Sequence, residues 1–299
     1  MSINVQEVSK LYGKQKALDH LSFEIKQGEI VGFLGPNGAG KSTMMKIIAG
    51  SIPQTSGLVE VNGLDVSSNS LEIRRQIGYL PEHNPLYLEM YVKEYLDYVA
   101  SIYKLGKNKV KRIAEMIEQT GLGPEQNKKI ASLSKGYRQR VGIAQALIHD
   151  PKVLILDEPT TGLDPNQLLE IRKLIQEIGK EKTVMLSTHI MQEVEACCQR
   201  VLIVNKGNLV ADRNIDFLSN LKDSKIVEVE FESNFPTDLL KKIVGVDSYK
   251  LVGENRFSIV SAKDIRKDIF EFAVSNQLVI LEMKTQSKNL EDIFHELTL

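Results

Sequence analysis

The sequence lacks any apolar run long enough to cross a lipid bilayer. None of its 299 residues fall in a stretch of about 18 consecutive apolar side chains, so we expect no membrane-spanning segment. The start, Met1 to Glu7, is polar and has no apolar core of signal-peptide length, which predicts that there is no targeting segment. If the protein acts at a membrane, another chain must supply the spanning part.

Cysteine is scarce, and neither sign of charge predominates. The two cysteines, Cys197 and Cys198, are neighbours, so they close no long loop and match no metal-ligand spacing. A reducing compartment is the simplest interpretation of this cysteine usage. The net charge is −1, so the chain as a whole produces no electrostatic attraction for nucleic acid or anionic lipid. We therefore expect no nucleic-acid partner.

A glycine-rich run follows the apolar segment 30–34. Residues 35–43 read Gly-Pro-Asn-Gly-Ala-Gly-Lys-Ser-Thr, the pattern of a phosphate-binding loop (P-loop) between a strand and a helix. The glycines let the backbone approach phosphates, and a helix beginning near Lys41 turns its positive dipole end to the anion. Lys41 would add a charge at the β- and γ-phosphates, and Ser42 a hydroxyl for Mg²⁺. The candidate ATP-binding residues here are Asn37, Gly38, Ala39, Gly40, Lys41, Ser42 and Thr43.

A second apolar run, 153–156, ends in two acids, Asp157 and Glu158. Unalternating runs such as this one and 183–188 are typical of strands covered on both faces, and a helical pattern over 165–178 joins them as a β-α-β crossover. At the carboxyl end of such a strand, Asp157 suits Mg²⁺, directly or through water. Glu158 is placed to polarise a water that attacks the γ-phosphate.

The remaining patterns predict the rest of the architecture. Residues 1–34 and 57–61 have the alternation of β-strands, residues 87–150 have helical spacing, and 201–204 resembles another buried strand. We predict an α/β fold: a P-loop nucleoside triphosphatase core over residues 1–218, with an N-terminal antiparallel β subdomain and a helical subdomain near 87–150. A small α+β domain follows over 219–299, in the order strand 226–231, helix 237–243, strand 247–252, strand 256–260, helix 262–275, strand 278–286 and helix 289–298. That order is ferredoxin-like.

Several further motifs occur in the order found in the ATP-binding subunits of ABC transporters, which the chain resembles over about residues 1–215. The segment 133–137, Leu-Ser-Lys-Gly-Tyr, looks like the family signature, and 162–165, Gly-Leu-Asp-Pro, looks like its dimer-contact loop. His189 follows the strand 183–188 at the position of the family's switch histidine. Tyr12, with Ala17, matches the aromatic residue that stacks on adenine.

The resemblance implies an ATPase that works as a homodimer or heterodimer around two ATP molecules. Each ATP would lie between the Lys41 loop of one chain and Ser134 and Gly136 of the other, with Asp164 shaping the contact between the chains. Glu158 would orient or activate water, and His189 would hold the γ-phosphate side. ATP and Mg²⁺ are the implied cofactors, and the Mg²⁺ ligands are Ser42, Asp157 and Glu82.

The resemblance also implies a multi-span membrane permease as partner. Closure of the dimer would reach it through the Glu82 loop and the helical region near 85–105, which places the protein in the cytoplasm, peripheral on the inner face of the cell membrane. Within the family, segments 9–14 and 78–87 resemble gliding-motility-associated members, and the tail resembles the small domain of ABC-2 exporters. The alternative is a soluble ABC-type ATPase, which a single P-loop and the absence of a long coiled coil disfavour.

Two departures from the family pattern leave questions open. Glu82 stands where glutamine is usual, and a carboxylate accepts from a metal-bound water but cannot donate as an amide does. In the signature, Lys135 and Tyr137 replace glycine and glutamine. Lys135 either adds positive charge at the dimer interface or is an ordinary surface lysine at a helix start. The tail shows no catalytic motif and is interpreted as a docking, dimerising or regulatory module.

Overall fold

The structure is a computed structural model that describes residues 1–215, 225–261 and 263–287. The chain forms two compact units, one over residues 1–213 and one that begins at residue 214. The predicted domain boundary at 218/219 and the predicted helix 289–298 lie outside the described residues.

The first unit alternates strands and helices. Its strands are β1 (Ile3–Tyr12), β2 (Gln15–Ile25), β3 (Ile30–Leu34), β4 (Ser56–Val61), β5 (Leu64–Asp65), β6 (Ile77–Leu80), β7 (Val153–Asp157), β8 (Thr183–Thr188), β9 (Arg200–Asn205) and β10 (Asn208–Asn214). Its helices are α1 (Lys41–Ile48), α2 (Ser70–Gln76), α3 (Val92–Ile102), α4 (Lys109–Gln119), α5 (Lys135–Leu147), α6 (Pro165–Gly179) and α7 (Met191–Cys197).

A six-stranded sheet of order β10-β9-β3-β8-β7-β6 forms the centre of this unit. The five strands β9, β3, β8, β7 and β6 run parallel to one another. Every residue of β3, β7 and β8 is buried, as their unalternating apolar sequences predict. The register pairs Leu34 with Thr188 and Asp157 with Ser187, so the carboxyl ends of the three strands meet at one edge of the sheet.

A four-stranded antiparallel sheet of order β2-β1-β4-β5 forms the N-terminal part of the unit. The alternation of Leu21, Phe23 and Ile25 puts these side chains on the buried face of β2. One apolar core joins the two sheets through α1, whose Met44, Met45, Ile47 and Ile48 are buried in it. The helix that follows the glycine-rich loop is therefore fixed by packing on both sides.

The predicted helical stretch 87–150 contains three helices, α3, α4 and α5, which contact one another. Short 3-10 turns at Gly106–Asn108, Gly123–Glu125 and Ile130–Ser132 separate them. The short elements α2, β5, β6, α7 and β10 were not predicted, because they have too few residues to show a period and lack the nearly continuous apolar sequences that mark β3, β7 and β8. In the part of the chain that the structure describes, no helix is both long and apolar enough to span a membrane.

The second unit contains an antiparallel sheet of order β12-β13-β11-β14. Its strands are β11 (Lys225–Phe231), β12 (Ser248–Gly253), β13 (Arg256–Ser261) and β14 (Ile280–Ser287), and its helix is α8 (Arg266–Ser275). Val227, Val229, Phe257 and Ile259 pack with Ile269 of α8 in a separate core. The predicted helix 237–243 is a 3-10 helix over Thr237–Lys242.

A buried histidine makes the stability of the first unit depend on pH. The ring of His149 stacks on Tyr103 at 3.9 Å between centroids, and its Nε2 lies 3.1 Å from the carbonyl oxygen of Ile77. Among the described residues its Nδ1 has no hydrogen-bond partner. Burial, opposed by the Ile77 carbonyl, lowers the pKa of His149 to about 4, with Arg112 and Lys182 adding to the lowering and Asp150 opposing it.

We expect this histidine to destabilise the fold as the pH falls. Its pKa in the folded state is below the value of about 6.5 expected in the unfolded chain, so the unfolded chain binds the proton first and stability is lost below pH 6.5. The loss attributable to His149 between pH 7.5 and pH 5 is about 2 kcal/mol. Urea unfolding of the parent and of His149→Phe at both pH values measures it. Equal pH dependence in the two proteins would contradict this assignment.

Candidate functional site

The glycine-rich loop joins β3 to α1 at the carboxyl edge of the parallel sheet. Gly38 and Gly40 adopt left-handed conformations, with φ of +80° and +103°. A Cβ atom on Gly40 would lie 2.5 Å from the backbone oxygen of Ala17, so no other residue fits without movement of the backbone. The loop therefore passes close to β2 and presents its backbone, together with the N-terminus of α1, to an open cavity.

Lys41 is buried at the first position of α1, with 6% of its side chain exposed. Its Nζ donates to the carbonyl oxygen of Gly35 at 2.7 Å and lies 3.5 Å from Oε1 of Glu158. A buried ammonium is stable only when it is paired and hydrogen-bonded. The lysine that the motif predicts at the phosphates is thus held at the loop, beside the acid predicted to activate water.

Asp157 ends β7 directly beneath the loop. Its Oδ1 accepts hydrogen bonds from Ser42 at 3.1 Å and from Ser187 at 2.6 Å. At this corner of the site, burial, and after it the nearby carboxylates of Asp157 and Glu82, raise the pKa of the Tyr79 phenol. The sequence separates these residues widely, and the parallel sheet brings them together.

This corner offers the hard oxygen donors that Mg²⁺ prefers. Among the described residues, no group of three or more His, Cys, Asp and Glu could hold a metal by itself. Mg²⁺ in nucleotide sites needs no such group, because it keeps several waters and takes one or two protein oxygens together with phosphate oxygens. The hydroxyl of Ser42 and the carboxylates of Asp157 and Glu82 fit that requirement.

Glu158 follows β7 in an unusual conformation, with φ of +50°. Neighbouring residues of a strand point to opposite faces, yet Asp157 reaches the loop through Ser42 and Glu158 reaches it through Lys41. The left-handed turn at Glu158 ends the strand, so both side chains reach the loop. Such strain costs on the order of 1 kcal/mol or more and is typical of functional sites.

The carboxylate of Glu158 is 7% exposed and lies at the centre of a polar network. Its Oε2 is 3.0 Å from Nδ1 of His189 and accepts from the hydroxyl of Thr161 at 3.1 Å. The backbone N–H of Glu158 donates to the hydroxyl of Ser187 at 2.9 Å. The acid and the histidine, predicted from separate motifs, are therefore in direct contact.

The cavity over the loop has a volume of about 740 Å³. Most of the predicted nucleotide residues line it: Tyr12, Ala17, Asn37, Gly38, Gly40, Lys41, Ser42, Thr43, Glu82, Glu158 and His189. Ala39 does not, because its side chain is buried in the apolar core. Lys16 and Lys206 also line the cavity and were not predicted.

Three predicted residues lie elsewhere, at the N-termini of α5 and α6. Ser134 caps α5 by accepting from the N–H of Tyr137 at 3.3 Å, and Asp164 caps α6 by accepting from Gln167 at 2.9 Å. A Cβ atom on Gly136 would lie 2.6 Å from the Gln167 side chain, so the two helix starts are adjacent. None of the three lines the cavity of its own chain.

The comparisons with known proteins agree with this geometry. The family model for ABC transporters matches residues 18–161. The bacitracin transport ATP-binding protein of Bacillus licheniformis is 35% identical, over 99% of this chain and 96% of its own length. The chain belongs to the family of ABC transporter ATP-binding proteins. The linearmycin resistance ATP-binding protein of Bacillus subtilis is a further relative, 32% identical over 99% of this chain and 98% of its own length.

Solved structures of this family share the fold of the first unit. A dimeric ATP-binding cassette in a post-hydrolysis state, bound to ADP and phosphate, superposes with a TM-score of 0.66 and is 28% identical, over 71% of this chain and 98% of that one. A cassette from Clostridium perfringens, part of an ABC transporter complex, gives 0.67 and 31% identity, over 73% of this chain and 90% of that one. The chain is thus an ABC ATPase that binds ATP, as its motifs predict.

Proposed function

We propose that this protein powers a membrane-embedded exporter by closing as a dimer around two ATP molecules. The observation that carries the proposal is the contact of Glu158 with both Lys41 and His189 at the edge of the nucleotide cavity. Glu158, the candidate general base, thus lies between Lys41, which is proposed to bind phosphate, and His189, which is proposed to contact the γ-phosphate side.

In the proposed mechanism, the backbone of the loop, the N-terminus of α1 and Lys41 bind the β- and γ-phosphates. Glu158 accepts a proton from the attacking water, and His189, held by Glu158, stabilises the γ-phosphate side. Tyr12 also lines the cavity and is half exposed, so its ring is available to an adenine base. Mg²⁺ held at Ser42, Asp157 and Glu82 would supply charge neutralisation at the phosphates.

The dimer is inferred from residues that the cavity leaves out. Ser134, Gly136 and Asp164 lie at adjacent helix starts but do not line the cavity of their own chain. If Ser134 and Gly136 contact ATP, they must do so from a second chain. An ATP whose γ-phosphate is bound by both chains holds the dimer closed. Hydrolysis of that ATP weakens the contact between the chains and lets the dimer open.

The partner is proposed to be a multi-span permease that docks beside the Glu82 loop. Downstream of Glu82, Tyr87, Tyr91 and Tyr98 are between 41% and 53% exposed, and the rings of Tyr87 and Tyr98 lie 5.6 Å apart. Aromatic residues are enriched in protein interfaces because they bury much area at a low entropy cost. Docking here would hold the protein at the inner face of the cell membrane.

The export direction is inferred from the relatives. Curated relatives include a Nod factor export ATP-binding protein of Rhizobium etli, 33% identical over 99% of this chain. The predicted role in gliding motility rests only on segments 9–14 and 78–87 and stays a prediction. We also propose that residues 219–299 form a ferredoxin-like accessory domain, supported by the antiparallel strand order β12-β13-β11-β14.

A negative charge introduced at position 134 tests whether the dimer closes around ATP. In a Glu158→Gln background, we expect ATP with Mg²⁺ to convert the protein to a dimer and ADP to leave it monomeric, as light scattering on a sizing column measures. Adding Ser134→Asp should abolish the ATP-dependent dimer, because its carboxylate would face the γ-phosphate of the other chain. Aspartate is a good helix cap, so α5 should stay folded.

The matched control is Ser134→Asn, which also caps the helix but carries no charge. It should retain more of the dimer than Ser134→Asp does. A dimer that forms equally with ADP, or one that Ser134→Asp leaves intact, would argue against the proposed arrangement.

A further inference from the structure

A buried acid outside the predicted motifs lies behind the catalytic network. Glu193, in the short helix α7, is 3% exposed and does not line the nucleotide cavity. Burying a carboxylate is costly unless hydrogen bonds compensate for the lost water. The partners of Glu193 therefore indicate what its burial achieves.

Two threonine hydroxyls share this carboxylate. Thr160 donates to Oε1 of Glu193, and Thr188 donates to Oε2. Both threonines are themselves buried, with 5% and 0% exposure. Hydrogen bonds to a carboxylate are about twice as strong as those between neutral groups, so this bridge is a firm link between the two threonines.

The two threonines belong to the segments that carry the catalytic pair. Thr160 lies two residues after Glu158, and Thr188 immediately precedes His189. Thr188 also accepts, through its backbone oxygen, a hydrogen bond of 3.3 Å from the N–H of Gly35 at the start of the phosphate loop. Glu193 thus links, through two side chains, the parts of the backbone from which Glu158 and His189 project.

We propose that Glu193 is a positioning residue for ATP hydrolysis, which sets the distance between Glu158 and His189 through Thr160 and Thr188. This inference rests on the proposed roles of Glu158 and His189. The left-handed conformation of Glu158 makes the link necessary, because a strained backbone keeps its geometry only when its surroundings fix it. Small errors in the placement of a general base cost much of its effect.

Removing the carboxylate should slow hydrolysis without weakening nucleotide binding. We expect Glu193→Ala to lower kcat about tenfold or more while KM and the Kd for ATP change by less than about threefold, because Glu193 does not reach the cavity. Glu193→Gln should retain most of the parent kcat, since its amide oxygen accepts from one threonine and its amide N–H donates to the other.

Threonine variants keep the test decisive if Glu193→Ala does not fold. Thr160→Val and Thr188→Val each remove one hydroxyl at nearly constant volume, and each should lower kcat while sparing ATP affinity. The matched control is Glu181→Ala, which removes an exposed carboxylate between α6 and β8. A kcat within about threefold of the parent in Glu193→Ala would overturn the proposal. So would equal losses of kcat and ATP affinity in the alanine and glutamine variants.

Hydrogen–deuterium exchange separates failure of this inference from failure of the proposed function. Glu193→Ala should speed exchange of backbone amides in residues 160–163 and 188–190 but not in α1. If the parent binds ATP without hydrolysing it, the proposed function fails, and faster exchange in those segments would still support the link through Glu193. Unchanged exchange there would overturn the link whatever the activity of the parent.

Discussion

Replacing Glu158 with glutamine should lower the turnover number for ATP hydrolysis by about two orders of magnitude or more, the usual effect of losing a general base. The amide is close to the carboxylate in size, so the contacts with Thr161 and His189 keep an oxygen acceptor. ATP affinity should change by less than about threefold, because the phosphate loop is untouched. Steady-state phosphate release and equilibrium binding of a fluorescent ATP analogue measure the two quantities.

The control for this substitution is Glu181→Gln, which changes an exposed carboxylate in the same unit. It should leave both kcat and ATP affinity at the parent values. Equal turnover in Glu158→Gln and the parent would remove Glu158 from its proposed role, and a large loss of ATP affinity would mean that the acid supports binding rather than catalysis.

The sequence predicts the parts of the fold that have a strong period or a strong motif. The strands 153–157 and 183–188 are nearly continuous apolar runs, and the helix 165–179 between them has a clear amphipathic pattern, so this crossover is predicted almost to the residue. The helix α7, with seven residues, gives no such signal. Its existence depends on packing, since Met191 and Val194 are buried against the rest of the unit.

In the candidate site, too, the sequence predicts the residues but not the contacts between them. Lys41, Ser42, Asp157 and Glu158 were predicted because a phosphate site needs their chemistry at that spacing, and the parallel sheet brings them together. Their pairings were not predictable in this way. The contact of His189 with Glu158 depends on how two loops leave neighbouring strands, and nothing in the sequence fixes that distance.

Long-range hydrogen bonds explain why Glu193 was missed. An acid flanked by polar residues in a short segment with no clear period resembles a surface residue, and its two threonine partners lie 33 and 5 residues away. Thr160 and Thr188 are likewise ordinary residues in their motifs. Only the folded structure shows that the three side chains meet in a buried position behind Glu158 and His189.

Replacing Lys41 with alanine should weaken ATP binding by about 10-fold to 100-fold, because a charge-assisted hydrogen bond to phosphate contributes about 1.5–3 kcal/mol. The matched control is Lys46→Ala, which removes an exposed lysine from the last turn of the same helix. It should bind ATP as the parent does. Equilibrium binding of ATP to each variant measures the effect, and unchanged affinity in Lys41→Ala would contradict the assignment of the loop to phosphate.

A second effect of Lys41→Ala must be separated from the first. Nζ of Lys41 lies 3.5 Å from Glu158, so its removal takes a positive charge away from a buried carboxylate that would then repel phosphate more strongly. The double variant Lys41→Ala/Glu158→Gln distinguishes the two causes. If repulsion by Glu158 were responsible, the double variant would regain affinity. We expect it to bind as weakly as Lys41→Ala alone, because the lost contact is the one between the lysine and the phosphates.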